Sequence, residues 1–173
     1  MSYRIFDPKI NRPLHELSQV DAKVAFDWFI DNIPDRLREI TELVGIDGVE
    51  LDFSEESLIK LHDWFFGIVA EERMLGNLTP SPELYSVCND IGIYLSEFLI
   101  KAAKNNIKWL FFNKDVSGVS FQRPVISGFN VKNKNYCIDF DYLLCQYSFR
   151  ILKTGSKDSS LFSAMIHKAI TLI

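Results

Sequence analysis

The stretch from Ser81 to Asn106 narrows the choice of fold more than any other part of the chain. It opens Ser-Pro-Glu: a cap, a proline suited to the first helical position, and an acid suited to the positive end of the helix dipole. This predicts a helix from Pro82 to about Lys104, with Lys101 and Lys104 at its negative end and Asn105-Asn106 as its stop. Its middle is apolar nearly all the way round, so it cannot lie on a surface with one face wet. The fold has to surround it. Gly92 and Ser96 are four residues apart and would let another backbone come close, and Ser86 extends that row of small residues.

The elements that could surround it are legible on either side. Residues 1–18 are irregular, with a short strand expected at Tyr3–Phe6; Pro8 and Pro13 argue against a helix there. Residues 19–32 have a wide apolar helical face. Pro34 then suits the first turn of a second helix carrying Ile33, Leu37, Ile40 and Val44, which Gly45 ends. Asp47–Phe53 reads as a loop or short strand. Ser54, followed by Glu55 and Glu56, caps a helix expected to reach about Met74, with Leu58, Leu61, Phe65, Ile68 and Val69 inward and Gly76-Asn77 as the stop. After Asn106 the period changes. Lys108–Asn113 and Val119–Phe129 read as strands joined by a turn at Asp115–Gly118, and Pro124 implies an edge or a bulge. Tyr136–Phe140 is a candidate third strand. Leu143–Lys153 reads as a helix ending at Gly155, and Ser159 or Ser160 caps a last helix through Leu172.

The predicted fold class is therefore α+β and mostly helical: a bundle of about four helices, a small antiparallel sheet of two or three strands, and one or two C-terminal helices. With 173 residues, no repeat and no linker-like tract, residues 1–173 are expected to form one domain. A chain of this length buries enough surface to fold without disulfide or metal. Cys88, Cys137 and Cys145 are odd in number and set among apolar residues, as free buried thiols in a reducing compartment are; a disulfide or a thiol nucleophile is the alternative. The opening residues lack the apolar run of a secretory signal, and no stretch reaches the length of a membrane span. A cytoplasmic protein is expected.

The formal net charge of −4 conceals a division. Residues 1–97 carry 19 acids against 8 bases, a net of −11, and residues 98–173 carry 4 acids against 11 bases, a net of +7. Either the two parts complement each other within the fold, or the acidic part meets a basic partner. Glu55, Glu56 and Glu83 have local reasons at helix N-termini. Asp47, Glu50, Asp52, Glu71 and Glu72 do not, and they mark the two ends of one predicted helix.

No phosphate-binding glycine loop, nucleophile elbow, HExxH or zinc-ligand spacing occurs, so no cofactor and no metal site are expected. Asp90 and Glu97, seven apart, share a face of the apolar helix. Together with His62 they would make an unconventional acid–base site; more simply, each carboxylate accepts hydrogen bonds from an Arg, a helix end or a Trp N–H. Lys108, Lys114, Arg123, Lys132 and Lys134 are interleaved with Trp109, Phe111, Phe112, Phe121 and Tyr136, a pattern compatible with base stacking. With no RNP-type motif and a pI of about 5.4, the aromatics read more simply as the inner face of the sheet.

Several local patterns are shared with a known group of proteins. They are Leu51-Asp-Phe-Ser-Glu-Glu-Ser-Leu58 with Trp64-Phe65, Pro82-Glu-Leu-Tyr-Ser86 leading to Asp90-Ile-Gly-Ile-Tyr-Leu-Ser-Glu97, then Trp109 and Pro124-Val-Ile-Ser-Gly-Phe129. Over roughly residues 50–130 the chain resembles small bacterial cytoplasmic proteins associated with immunity to polymorphic or contact-dependent toxins. The resemblance implies a non-enzymatic protein that neutralises a cognate toxin domain. Such a toxin domain is basic where it attacks nucleic acid, and an acidic face built from Asp47, Glu50, Asp52, Glu55, Glu56, Glu71 and Glu72 would cover it. The competing readings are an enzyme using the Asp90–Glu97 carboxylates and a regulator or scaffold using an exposed aromatic patch.

Overall fold

The computed structural model describes residues 3–103 and 106–173. The expected helix end at Lys104-Asn105 lies outside the described residues. Within them the order is a single 3-10 turn (Leu14–Glu16), α1 (Gln19–Gly45), α2 (Glu55–Met74), α3 (Pro82–Ala102), β1 (Lys108–Phe111), β2 (Pro124–Ser127), α4 (Phe140–Thr154) and α5 (Leu161–Ile170). The fold is α+β and mostly helical.

Three long helices, rather than four, precede the sheet. The two helices expected around Pro34 are one, α1, with the proline inside it. Phe29, Ile33, Arg36, Ile40 and Val44 are all buried, so the inward stripe runs unbroken across the proline and packing holds the two halves in line. Pro34 itself is exposed, where the Ile30 carbonyl that loses its N–H donor can bond to solvent. The caps of the next two helices formed as their sequences require: Ser54 Oγ accepts from the Ser57 N–H, and Ser81 Oγ accepts from the Leu84 N–H, both at 3.1 Å.

Helix α3 is the centre. Of its 21 residues, 12 are buried, more than a single apolar stripe would cover. It packs against α1, α4 and α5. At Gly92 the approach to α4 is so close that a Cβ would lie 2.9 Å from the Asp141 backbone nitrogen. The small residue there is what sets the distance between the two helices. Tyr94, Phe65, Phe162, Leu58, Leu61 and Leu95 are the largest wholly buried side chains around this axis.

The β-structure is shorter than its sequence runs. β1 and β2 pair antiparallel from Lys108↔Ser127 to Phe111↔Pro124. Pro124 is the first residue of its strand, a position where its missing N–H costs least, and not a bulge within it. The expected third strand at Tyr136–Phe140 is reduced to one bridge, in which Ile126 and Ile138 exchange hydrogen bonds of 2.8 and 2.9 Å. Asp139 ends it by capping α4, its carboxylate accepting from the Tyr142 N–H at 3.0 Å. That cap also starts α4 three residues earlier than its apolar spacing suggests.

Tyr3–Phe6 is not a strand either. It runs as an extended arm whose backbone partner is a side chain, with the Phe6 N–H donating to Ser86 Oγ at 2.6 Å. Ser86 thus serves as a polar anchor as well as a small residue on α3.

Candidate functional site

The seven acidic residues singled out from the sequence do not form one face. Asp47, Glu50, Asp52 and Glu56 gather where the α1–α2 loop meets the first turns of α2. The Asp47 carboxylate accepts from the Trp64 indole N–H at 2.7 Å, which pins the loop to α2. Glu56 pairs with Lys60 at 2.6 Å. Lys60 is held above its ordinary value first by that hydrogen bond and then by the charges of Glu56, Glu50 and Asp52. The Asp52 carboxyl is lowered by hydrogen bonds from Ser54, whose N–H it accepts at 2.9 Å. Glu55 is turned away, toward His167 of α5 at 3.0 Å.

Glu71 and Glu72 lie at the other end of α2, roughly 23 Å from Glu56 at 1.5 Å per residue. Glu71 is exposed. Glu72 is occupied: its carboxylate accepts from the Ser81 N–H at 3.2 Å and from the Ser81 hydroxyl, fixing the start of α3.

Beside the acidic group is an apolar notch of about 370 Å³, lined by Leu37, Arg38, Thr41, Glu42, Leu51, Phe53 and Tyr94. Phe53 occupies the left-handed region at φ +62°, which is strained for a residue with a Cβ. It is held there by its N–H donating to the Tyr94 hydroxyl at 2.9 Å and by its ring stacking on Tyr94 at 4.8 Å. Ile46 and Ile59, 71% and 49% exposed, add apolar surface among the carboxylates.

Asp90, Glu97 and His62 enter three separate networks. Asp90 is wholly buried and takes two contacts from Arg36, Nε at 2.8 Å and Nη2 at 2.5 Å, and one from the Tyr3 hydroxyl at 2.5 Å. Burial pushes its carboxyl above the usual range, while Arg36, Tyr3 and Asn89 pull it down. Burial also works against the Arg36 charge, but Asp90 more than offsets that and leaves the guanidinium above its ordinary value. Glu97 accepts from the Trp109 indole N–H at 2.8 Å. His62 is buried against Phe162 and Tyr147, with Nε2 2.9 Å from the Tyr147 hydroxyl. Burial, and then the Lys157 charge, lower its pKa and favour the neutral ring. An acid–base site made of these three lacks the shared space it requires.

A second cavity was not legible in the sequence. It has a volume of about 530 Å³ and is enclosed by the N-terminal arm, the first half of α1, α3, the β1–β2 connection and the start of α4. Its walls are aromatic: Phe6, Trp28, Phe29, Trp109 and Phe121 are among its lining. Its polar floor is Arg123 with Asp141, backed by Asp139. Arg123 Nε donates to Asp139 at 2.6 Å and Nη2 to Asp141 at 2.6 Å. A third of the Asp141 side chain is open, and Asp141 is among the residues that line the cavity. Desolvation by the surrounding protein pushes its carboxyl above the usual range despite Arg123. The signal available in the sequence was the pair Asp139 and Asp141 flanking an aromatic, but the partner Arg123 is 16 residues away across a loop.

The three cysteines are free. No group of three or more His, Cys, Asp or Glu among the described residues is placed to hold a metal ion, and no helix there is long and apolar enough to cross a membrane. No family model, curated protein or solved structure matches the chain.

Proposed function

We propose that this chain is a binding protein whose α1–α2 end docks on a basic surface of a partner protein. The partner class implied by the sequence resemblance is a toxin domain, which the chain would neutralise as an immunity protein. The observation that carries this reading is the combination at that end: a notch lined by Leu37, Leu51 and Phe53 with Arg38, Thr41 and Glu42, the acids Asp47, Glu50, Asp52 and Glu56 on the same loop and the helix turn after it, and Ile46 and Ile59 exposed on those segments. An apolar centre with a charged rim is the usual anatomy of a protein interface. The rim charge sets the speed of encounter and the notch sets the residence time. Glu55 is turned toward α5, and Glu71 and Glu72 lie too far along α2 to share this docking surface.

The test is co-purification with the product of the neighbouring gene, followed by binding kinetics at two salt concentrations. Glu50→Lys, Asp52→Lys and Glu56→Lys combined should slow association by an order of magnitude or more and abolish the salt dependence. A tight complex indifferent to both the reversed charges and salt would sink the docking surface. No complex, and no protection of cells from that product, would sink the function.

A further inference from the structure

We infer that the aromatic cavity is a binding site for a small organic cation, an ammonium group carried on a flat aromatic body. The charge balance of the floor points to this. Arg123 brings one positive charge and is shared by two carboxylates, Asp139 and Asp141. Asp139 is further bound by the α4 cap, whereas the remaining contact of Asp141 is the weak thiol donor of Cys145 at 3.6 Å. The floor therefore carries one excess negative charge, and the more open carboxylate is the one that lines the cavity. A neutral or anionic ligand would leave that charge without a partner. An ammonium would supply both a counter-charge and three N–H donors.

The walls suit the rest of such a ligand. Phe29 meets Trp109 edge-on at 5.2 Å, and Phe6 is tilted against Trp28 at 5.4 Å, so the aromatic lining is held in place by its own ring contacts. The π-faces attract a cation passing over them. The volume of about 530 Å³ lies within the range of small-molecule sites.

The experiment uses the full chain and 2-phenylethylamine, with 2-phenylethanol as the neutral analogue, measured by ligand-observed NMR and thermal shift. The amine should bind saturably, with Kd at or below about 1 mM, and at least ten-fold tighter than the alcohol. Asp141→Asn should reduce that preference to less than three-fold. Because Asp141 also holds Arg123, a second variant guards against misfolding. Val119 lines the cavity and is 65% exposed, so Val119→Lys places a competing ammonium at the mouth without disturbing the core. It should weaken amine binding at least five-fold and leave alcohol binding within two-fold. Equal binding of amine and alcohol, no saturable binding of the amine, or amine binding unchanged in a folded Val119→Lys protein would each overturn the inference.

Discussion

Arg36 and Asp90 offer the sharpest test of what holds the molecule together. Replacing Arg36 by Met removes two donors from a carboxylate that has no exposure to solvent. At about 1.5–3 kcal/mol for each charge-assisted hydrogen bond, the loss is about 3–6 kcal/mol. That agrees with the ~3–5 kcal/mol generally lost when one partner of a buried ion pair is deleted. For a domain of this size the midpoint of thermal unfolding should fall by about 6–20 °C. Asp90→Leu should cost a similar amount by stranding the buried guanidinium. The double variant should behave differently, because no charge is then left without a partner. Tyr3 and Ser86 still bond to each other at 2.8 Å, and the remaining cost is chiefly the Arg4 carbonyl that Arg36 Nη1 had served at 2.7 Å. Urea unfolding of the four proteins measures the cycle. The double variant should recover more than half of the summed losses. Additivity of the two single changes to within about 0.5 kcal/mol would refute the assignment of a coupled buried pair.

Three further outcomes are expected. Gly92→Ala should destabilise the protein by about 1–3 kcal/mol despite alanine's better helix propensity, because the new methyl would press on the Asp141 backbone, and calorimetry would show it. Gly128→Ala should be worse and abolish soluble expression: φ is +112° there, and a Cβ would lie 2.0 Å from the Asn106 carbonyl oxygen. The folded-state pKa of His62 is depressed, so the neutral ring stabilises the fold. That contribution is present above the unfolded-state value of about 6.5 and is lost as pH falls through the depressed one. Denaturation series from pH 8 to 5 should therefore show wild type losing more stability on acidification than His62→Gln; parallel curves would contradict the burial argument.

What the sequence made legible was local. Ser54 and Ser81 cap because a cap needs a few consecutive residues, and both are correctly placed in the sequence. The burial of α3 followed from its apolar circumference, and the close approach at Gly92 from its missing side chain. The Asp90 and Glu97 carboxylates found an Arg and a Trp N–H, the simpler of the two readings open to them. The errors arose where a distant contact outweighed a local rule. Pro34 signals a break only until the inward stripe from Phe29 to Val44 is seen to continue across it. Tyr136–Phe140 has strand composition, but the Asp139 cap diverts the chain after a single bridge. For the acidic residues, already divided in the sequence between the two ends of one helix, the sequence shows sign but not direction. Glu72 faces Ser81, Glu55 faces α5, and only the loop acids stay together. The cavity was beyond reach because its walls come from five separate stretches of chain.

The arm from Tyr3 to Leu17 has a consequence for the order of events. Its anchors are Ser86, 80 residues from Phe6, the Arg36–Asp90 pair, which bonds to the Arg4 carbonyl and the Tyr3 hydroxyl, and Gln122, whose side-chain amide donates to the Leu14 carbonyl 108 residues away. Contacts of such long sequence separation close late, after the helices they depend on have formed. The arm is thus among the last pieces to dock, and it is held by polar contacts to buried groups rather than by buried side chains of its own. It is also one wall of the aromatic cavity. The cavity is therefore complete only while the arm is docked, and whatever loosens the arm removes that wall as well.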